Sequence, residues 1–292
     1  MHAAAAEINR RYLELHDDRR RVETYGAEHR DVFAGVRVDG DPARLVAGFT
    51  GDLGAHAARL RELVAHADRL DVVEAPASQA QLGRIRSAIQ EELGVGPDKP
   101  LRGLSGPGGG AFRVHVDLAA YAKDDAQRLL ERYGDAVELR IGAFQYPLDL
   151  DVRPTPPIAS QEPLLNESEV EVRGVQPFAV RSGYDLHSEL LVTNRGNAPL
   201  VIENSGTQFA RVVNPTTGQV VGGFAGHHIL PLVRFTASPG ATVTVPLIVG
   251  TASYMRSLGY AVPPGEWAVE VVLDLGTHRR RRAPLLPLHV TS

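Results

Sequence analysis

The sequence predicts an α+β N-terminal module, a small sheet with helices on one side, followed by an all-β sandwich. Three observations carry this prediction. Phe33 to Pro76 reads as hairpin, helix and strand, and Tyr146 to Pro163 holds five prolines in eighteen residues. Beyond it, short β runs are separated by turn signals about every 8–12 residues. The expected boundaries are 1–145 for the module, 146–165 for a proline-rich linker, and 166–292 for the sandwich.

Ile8, Tyr12, Leu15, Val22 and Tyr25 fall near helical spacing and predict an amphipathic helix laid on the module. His16-Asp17-Asp18 and Arg19-Arg20-Arg21 occupy its other faces; the arginine triplet reads as a solvated face or as a partner site. Val36 and Val38 alternate with Arg37 and Asp39, and Leu45, Ala47 and Phe49 alternate with Val46, Gly48 and Thr50. Asp39-Gly40-Asp41-Pro42 supplies turn chemistry between them, so the pair predicts an antiparallel hairpin. Asp52 is placed to cap a helix whose Leu53, Ala57, Leu60 and Val64 form one apolar stripe. Leu70 to Val73 returns as a strand. Ser78 and Gln81 stand in capping-box relation ahead of Leu82, Ile85, Ile89 and Leu93, and Gly94 is placed to stop that helix.

The runs FAGVRVDG, RLVAGFTGD and RLDVVEAPASQAQLGRI make residues 31 to 142 similar to the pro-region of alpha-lytic-protease-like and streptogrisin-like bacterial serine peptidases. The resemblance implies a small α/β folding module that binds a peptidase. No trypsin-like peptidase sequence follows it in this chain, so that family's self-chaperone role is not expected.

Gly94 to Gly110 is rich in glycine and proline, has no period, and reads as a loop or linker. It lacks the Gly-Lys-Ser/Thr ending of a phosphate-binding P-loop, and a strand, Phe112 to Val116, follows it. Leu129 to Leu139 echoes the Leu60-to-Val73 run, a helix end followed by an alternating strand, and the two units are expected to complete one sheet. Its RYGDAVEL run is also similar to the ending of streptogrisin-like pro-regions.

The C-terminal half changes character. Val170 and Val172, Leu190 and Val192, Leu200 and Ile202, Phe209 with Val212 and Val213, Val243 and Val245, then Trp267 to Leu275 are β runs. Asn-Arg-Gly-Asn, Asn-Pro-Thr-Thr-Gly, Ser-Pro-Gly and Pro-Pro-Gly turns lie between them. LLVTNRGNAPLVI, FARVVNPTTGQVV, SPGATVTVPL and VPPGEWAVEVVLDL together resemble an immunoglobulin-like sandwich of the bacterial intracellular proteinase inhibitor (BsuPI) type over residues 166 to 292. The resemblance assigns no inhibitory residue.

Hydrophobic content of 43% and charged content of 23% place the chain of 292 residues among ordinary globular proteins rather than disordered ones. A net charge of −4 argues against nucleic-acid binding, which needs a clustered positive surface. With no cysteine there is no disulfide, thiolate metal site or cysteine nucleophile. No signal peptide and no membrane span are expected, and the expected compartment is the cytoplasm.

Candidate chemistry is sparse. His227-His228 would point to opposite faces of a strand, so a single metal could be shared only from a loop. His115 with Asp117, and His187 with Glu189, each place an imidazole and a carboxylate on one strand face, as a pair or as an exposed polar face. Gly103-Leu104-Ser105-Gly106-Pro107 fails the nucleophile-elbow pattern at its last position. Asp52, His56 and His66 are close in sequence but face differently. Trp267 reads as core or core edge. The candidate partner-binding residues are Arg279, Arg280, Arg281 and Arg282, expected near the tip of a hairpin, where they either grip an anionic partner or stay solvated.

These readings predict a non-enzymatic interaction protein with a protein partner, a peptidase being the candidate the resemblances name, and no catalytic residue, cofactor or metal. The alternatives are an intracellular peptidase inhibitor, to which both resemblances point, and an enzyme with a site between the domains.

Overall fold

The computed structural model describes residues 10, 13–40, 43–96, 98–106, 112–148, 161–226, 231–276 and 279–292. The fold is mostly β. The chain forms two compact units, Met1–Val116 with Gln127–Leu139, and Asp117–Ala126 with Arg140–Ser292. The first thus takes in a segment beyond residue 116, and the second takes in Asp117–Ala126 as well as the C-terminal half.

In the first unit, helix α1 spans His16–Glu28 and buries Val22. Gly26 on the same helix is a requirement of packing, because a Cβ there would lie 2.3 Å from the Phe33 ring. Phe33–Asp39 (β1) and Arg44–Phe49 (β2) form the predicted antiparallel hairpin, with Val36 opposite Ala47 and Val38 opposite Leu45. Helix α2, Leu53–Leu63, leads to Leu70–Glu74 (β3), which pairs in parallel with β2 from Leu45↔Leu70 to Phe49↔Glu74. Leu45, Ala47 and Phe49 join Val22, Phe33 and Leu60 in one core. Val46 and Gly48 point the other way and are buried too, the Phe112 ring lying against Gly48. Cover on both faces explains why Leu45 to Phe49 is a continuous buried run.

Helix α3, Gln79–Leu93, starts as the sequence requires: Ser78 Oγ accepts from Gln81 N–H and Gln81 Oε1 accepts from Ser78 N–H. Gly94 ends it at φ +67°. Ser78→Ala removes an acceptor from a buried helix start and is expected to cost about 1 kcal/mol, read as a shift of the denaturation midpoint at unchanged slope. The companion expectation for α2 fails. Asp52 precedes that helix at φ 48°, and its side chain makes no capping bond.

Two further expectations are corrected. Leu101–Ser105, read as loop, is strand β4, because pairing with a neighbour outweighs the weak local propensity of a Gly- and Pro-rich stretch. The two helix–strand units do not complete one sheet. β1–β2–β3 is one sheet, and β4 starts another with Val114–Leu118 (β5), Val137–Ile141 (β6) and Phe144–Tyr146 (β7), in that order. Within β5 and β6 the alternation is strict, every second residue being buried. Helix α4, Lys123–Tyr133, lies between these two strands in the chain and buries Ala126 and Leu129.

The second unit is built from Val170–Gly174 (β8), Phe178–Arg181 (β9), Asp185–Asn194 (β10), Leu200–Asn204 (β11), Gln208–Val213 (β12), Val220–Gly223 (β13), Val233–Ala237 (β14), Thr242–Gly250 (β15), Ala252–Ser253 (β16), Gly265–Asp274 (β17), Arg280–Arg282 (β18) and Leu286–Thr291 (β19). The main path runs β8-β10-β15-β12-β17-β19-β9, with β13, β16 and β18 as branches, and β11 pairs separately with β14. Strands from both ends of that path, β8 and β10 at one and β19 and β9 at the other, supply Val172, Leu190, Phe178 and Leu288 to a single core. The sheet therefore folds over on itself, and consecutive strands β8 and β9 sit at its opposite ends.

The turns work as their residues predict. Asn194 is buried; its Oδ1 accepts from Gly196 N–H at 3.0 Å, and its Nδ2 donates to the carbonyls of Ala198 and Ala237. Asn214 Oδ1 accepts from the N–H groups of Thr216 and Thr217 at 2.9 and 3.1 Å, closing the Asn-Pro-Thr-Thr-Gly turn. Among the described residues no helix is long and apolar enough to cross a membrane.

Candidate functional site

A groove of about 700 Å³ opens between α1 and α2 in the first unit. Its wall from α1 carries Arg20, Arg21, Thr24, Tyr25 and Glu28, continued by His29 just past the helix end, and its wall from α2 carries Arg59 and Leu63. Helical spacing accounts for the first wall, since positions 21, 25 and 28 or 29 fall on one face.

Tyr25 and His29, which line the groove, belong to an aromatic and imidazole cluster that extends to the buried His56 and Phe49. The Tyr25 ring stacks on His29 with centroids 4.1 Å apart, and His56 stacks on Phe49 at 4.1 Å and 13°. Tyr25 Oη and His56 Nδ1 are 2.8 Å apart. Burial pushes the Tyr25 hydroxyl up, Glu28 adding to the effect and Arg59 opposing it. Burial also pushes the His56 imidazole down, helped by His29 and opposed by Asp52. Both shifts favour the uncharged forms. The phenol, the stronger donor of the two, is assigned as donating to Nδ1, with the imidazole hydrogen on Nε2. His29 Nδ1 donates to the Tyr25 carbonyl at 2.8 Å, which leaves its Nε2 free of that bond. The Tyr25–His56 pair is thus neutral and hydrogen-bonded across the two helices, and positive charge in the groove comes from its arginines.

The helices are tied together beside the groove by Asp18, 2% exposed. Its carboxylate accepts from Ala65 N–H (2.8 Å), His66 N–H (3.0 Å) and His66 Nδ1 (2.8 Å), and meets Arg21 Nη1 at 3.2 Å. Burial alone pushes this carboxyl up; the bonds from Ala65 and from the ring and backbone of His66 outweigh it and hold the group below its ordinary value.

Of the residues singled out in the sequence, the groove gathers Arg20, Arg21 and Tyr25, and His56 is buried behind it, bonded to Tyr25; Arg19 instead pairs with Glu23 at 2.9 Å. His56 and His66 do face differently, the first toward Tyr25 and the second toward Asp18. His29, Arg59 and Glu28 carried no signal of their own. The available signal was the i, i+4 spacing of Tyr25 and His29 on an arginine-bearing helix.

Arg280, Arg281 and Arg282 do not sit at a hairpin tip: they form β18, paired with Asp274, Leu273 and Val272 of β17. Arg280 Nη2 lies 3.7 Å from Glu162 Oε1, and Arg282 Nη1 lies 3.5 Å from Glu270 Oε1. Arg281 Nη1 donates to the Arg280 carbonyl, and Arg279 precedes the strand on the surface. His115 and Asp117 do not pair with each other. Each reaches across to β6, His115 to Glu138 at 3.2 Å and Asp117 to Arg140 at 2.8 Å. His187 and Glu189 are exposed along β10 and line an open groove with Pro246 and Ile248. Ser105 ends strand β4. Trp267 is half-buried against the core of its unit and donates to the Pro263 carbonyl at 2.9 Å. His227 and His228 lie outside the described residues. Among the described residues no group of three or more metal-ligating side chains comes together.

No family model matches this chain, and no curated protein is similar to it. Among solved structures it is similar to a β-glucosidase from Listeria innocua at 17% identity and a TM-score of 0.26, covering 43% of this chain and 16% of that one. It is also similar to a sporulation control protein from Bacillus subtilis at 15% identity and a TM-score of 0.25, covering 42% and 49%. A CARDB domain from Pyrococcus furiosus matches at 14% identity and a TM-score of 0.22, covering 42% and 90%.

Proposed function

We propose that this chain is a cytoplasmic, non-enzymatic binding protein whose first unit, an α+β module, holds an acidic segment of a partner protein in the α1/α2 groove. The observation that carries the reading is the convergence of Arg20, Arg21 and Arg59 from two helices, with one carboxylate, Glu28, among the lining residues. In a chain of net charge −4 such a local excess of positive charge is a directed feature rather than a reflection of composition. Leu63 and the Tyr25 ring add an apolar wall for a neighbouring side chain.

The second unit is read as an immunoglobulin-like sandwich. What supports this is its single core drawn from both ends of the strand path, and the passage from β8 to β9 between those ends.

The test is fluorescence anisotropy of the full chain with a labelled acidic peptide and a neutral peptide of equal length. Binding of the acidic peptide alone is expected, weakening several-fold between about 50 mM and about 300 mM NaCl and lost on Arg20→Glu/Arg59→Glu. Equal binding of the neutral peptide, or unchanged binding by the double variant, would sink the reading. The alternative drawn from the two resemblances, peptidase inhibition, is decided by titrating trypsin-like and subtilisin-like peptidases with the full chain: a stoichiometric loss of activity supports it, and full activity at excess chain rejects it.

A further inference from the structure

We propose that the group seated in the α1/α2 groove is a phosphomonoester dianion carried on a partner's side chain. This inference rests on the reading above that the groove takes an acidic segment, and it names the chemistry of the contact.

The argument comes from which guanidinium edges are already occupied. Arg21 uses Nη1 for both of its contacts, with Asp18 at 3.2 Å and the Leu63 carbonyl at 3.3 Å. Arg59 likewise engages Glu62 through Nη1 at 2.6 Å. Arg20 makes no side-chain hydrogen bond or ion pair among the described residues. A guanidinium has five N–H donors, and its Nε–Nη2 edge is the one that presents two parallel donors to a planar pair of oxygens. In Arg20, Arg21 and Arg59 that edge remains available. Three forks from two helices ask for an acceptor with more than two oxygens.

A carboxylate has two oxygens and one charge. A phosphoryl group on a side chain has three terminal oxygens and a charge of about −1.5 to −2 at neutral pH. It matches the donor count, and its larger charge draws most on Arg20, which has no carboxylate partner among the described residues; Asp18, Glu62 and Glu28 oppose any anion here, so the contact must rest on several directed hydrogen bonds. The neutral Tyr25–His56 pair adds no competing negative charge, and the Tyr25 ring with Leu63 offers an apolar wall to the stem of the phosphorylated residue. Thr24 does not compete for the phosphoryl oxygens, since its hydroxyl donates to the Arg20 carbonyl at 2.9 Å.

The experiment uses the full chain and four probes in anisotropy or calorimetry: one peptide sequence carrying phosphotyrosine, the same with phosphoserine, the same with two glutamates in place of the phosphorylated residue, and inorganic phosphate alone. At least one phosphopeptide is expected to bind about tenfold or more tightly than the glutamate peptide. Arg20→Gln is expected to remove most of that difference. Because Arg20 is exposed and its side chain makes no hydrogen bond or ion pair among the described residues, its replacement leaves the fold intact, checked by an unchanged melting curve. Equal binding of the glutamate and phosphorylated peptides overturns the phosphate inference and leaves the acidic-segment reading standing. Failure of every peptide overturns both. Inorganic phosphate binding as tightly as the phosphopeptides supports the phosphoryl chemistry but assigns it to a small molecule, overturning the partner-protein source. A full tenfold preference retained by Arg20→Gln overturns the assignment to this groove.

Discussion

Arg211→Met is expected to destabilise the second unit by about 3–5 kcal/mol, lowering its melting temperature by roughly 10 °C. The cause lies under β12 and β17, where Arg211 stands directly opposite Glu270. The Glu270 side chain is fully buried, and its Oε2 lies 2.7 Å from Arg211 Nε. The N–H direction misses that oxygen, so the contact is one of charge rather than a directed hydrogen bond. Arg282 Nη1 is more distant, 3.5 Å from Oε1. Taking Arg211 away leaves a fully buried carboxylate held only by the longer, 3.5 Å contact with Arg282, the situation in which a buried pair is expensive to break. Glu162, 3.3 Å from Arg211 and 3.7 Å from Arg280, loses a partner at the same time. The double variant Arg211→Met/Glu270→Leu is expected to recover a large part of the loss, since the fully buried carboxylate is gone and Arg282, which loses its 3.5 Å contact with Glu270, is only partly buried. Denaturant unfolding of the three proteins decides it. A single-variant loss below about 1 kcal/mol, or a double variant worse than the single one, would show that the pair does not hold these strands as described.

Asp18→Ala is the second large effect, expected at about 2 kcal/mol, because the buried carboxylate that ties α1 to the chain just past α2 is lost, together with its bonds from the Ala65 and His66 N–H groups, the His66 ring and Arg21. The same carboxylate makes stability depend on pH. Its folded-state pKa lies below the ordinary value, so the unfolded chain binds the proton more tightly. The stabilisation is present in full above the unfolded value of about 3.9, and it is lost as pH falls through that value toward the depressed folded one. Denaturation of the wild-type protein and of Asp18→Asn at neutral and acid pH isolates the contribution. The asparagine variant is expected to lack this part of the acid-side loss, and parallel pH profiles of the two proteins would refute the linkage.

Much of the local structure was legible in the residues. The capping box at Ser78 and Gln81, the alternation of Val36 and Val38 against Leu45 and Ala47, and the turns at Asn194 and Asn214 all act between residues a few positions apart. Their geometry follows from the chain itself. Asp52 shows the limit even at short range: its side chain was suited to a cap, but the backbone enters the helix at φ 48° and no capping bond forms.

The groove was legible only in fragments. Arg20, Arg21, Tyr25 and His56 were each visible, but α1 and α2 are separated by a hairpin, and the Tyr25–His56 bond spans 31 positions. Nothing local specifies such a contact. The same holds for the arginines near the C-terminus. In sequence Arg279 to Arg282 form a basic run. In the fold Arg282 faces Glu270, twelve positions away across β17, and Arg280 faces Glu162.

By itself, then, the sequence determined what neighbouring residues enforce on one another: the capped start of α3, the β1–β2 hairpin and the turns at Asn194 and Asn214. Only the tertiary structure decided which charges meet. Strand pairing made Leu101–Ser105 a strand and divided the N-terminal strands between two sheets. Helix packing brought three arginines around a groove backed by a neutral Tyr–His pair. Contacts between distant residues depend on how apolar faces find cover, and that is a property of the folded chain as a whole.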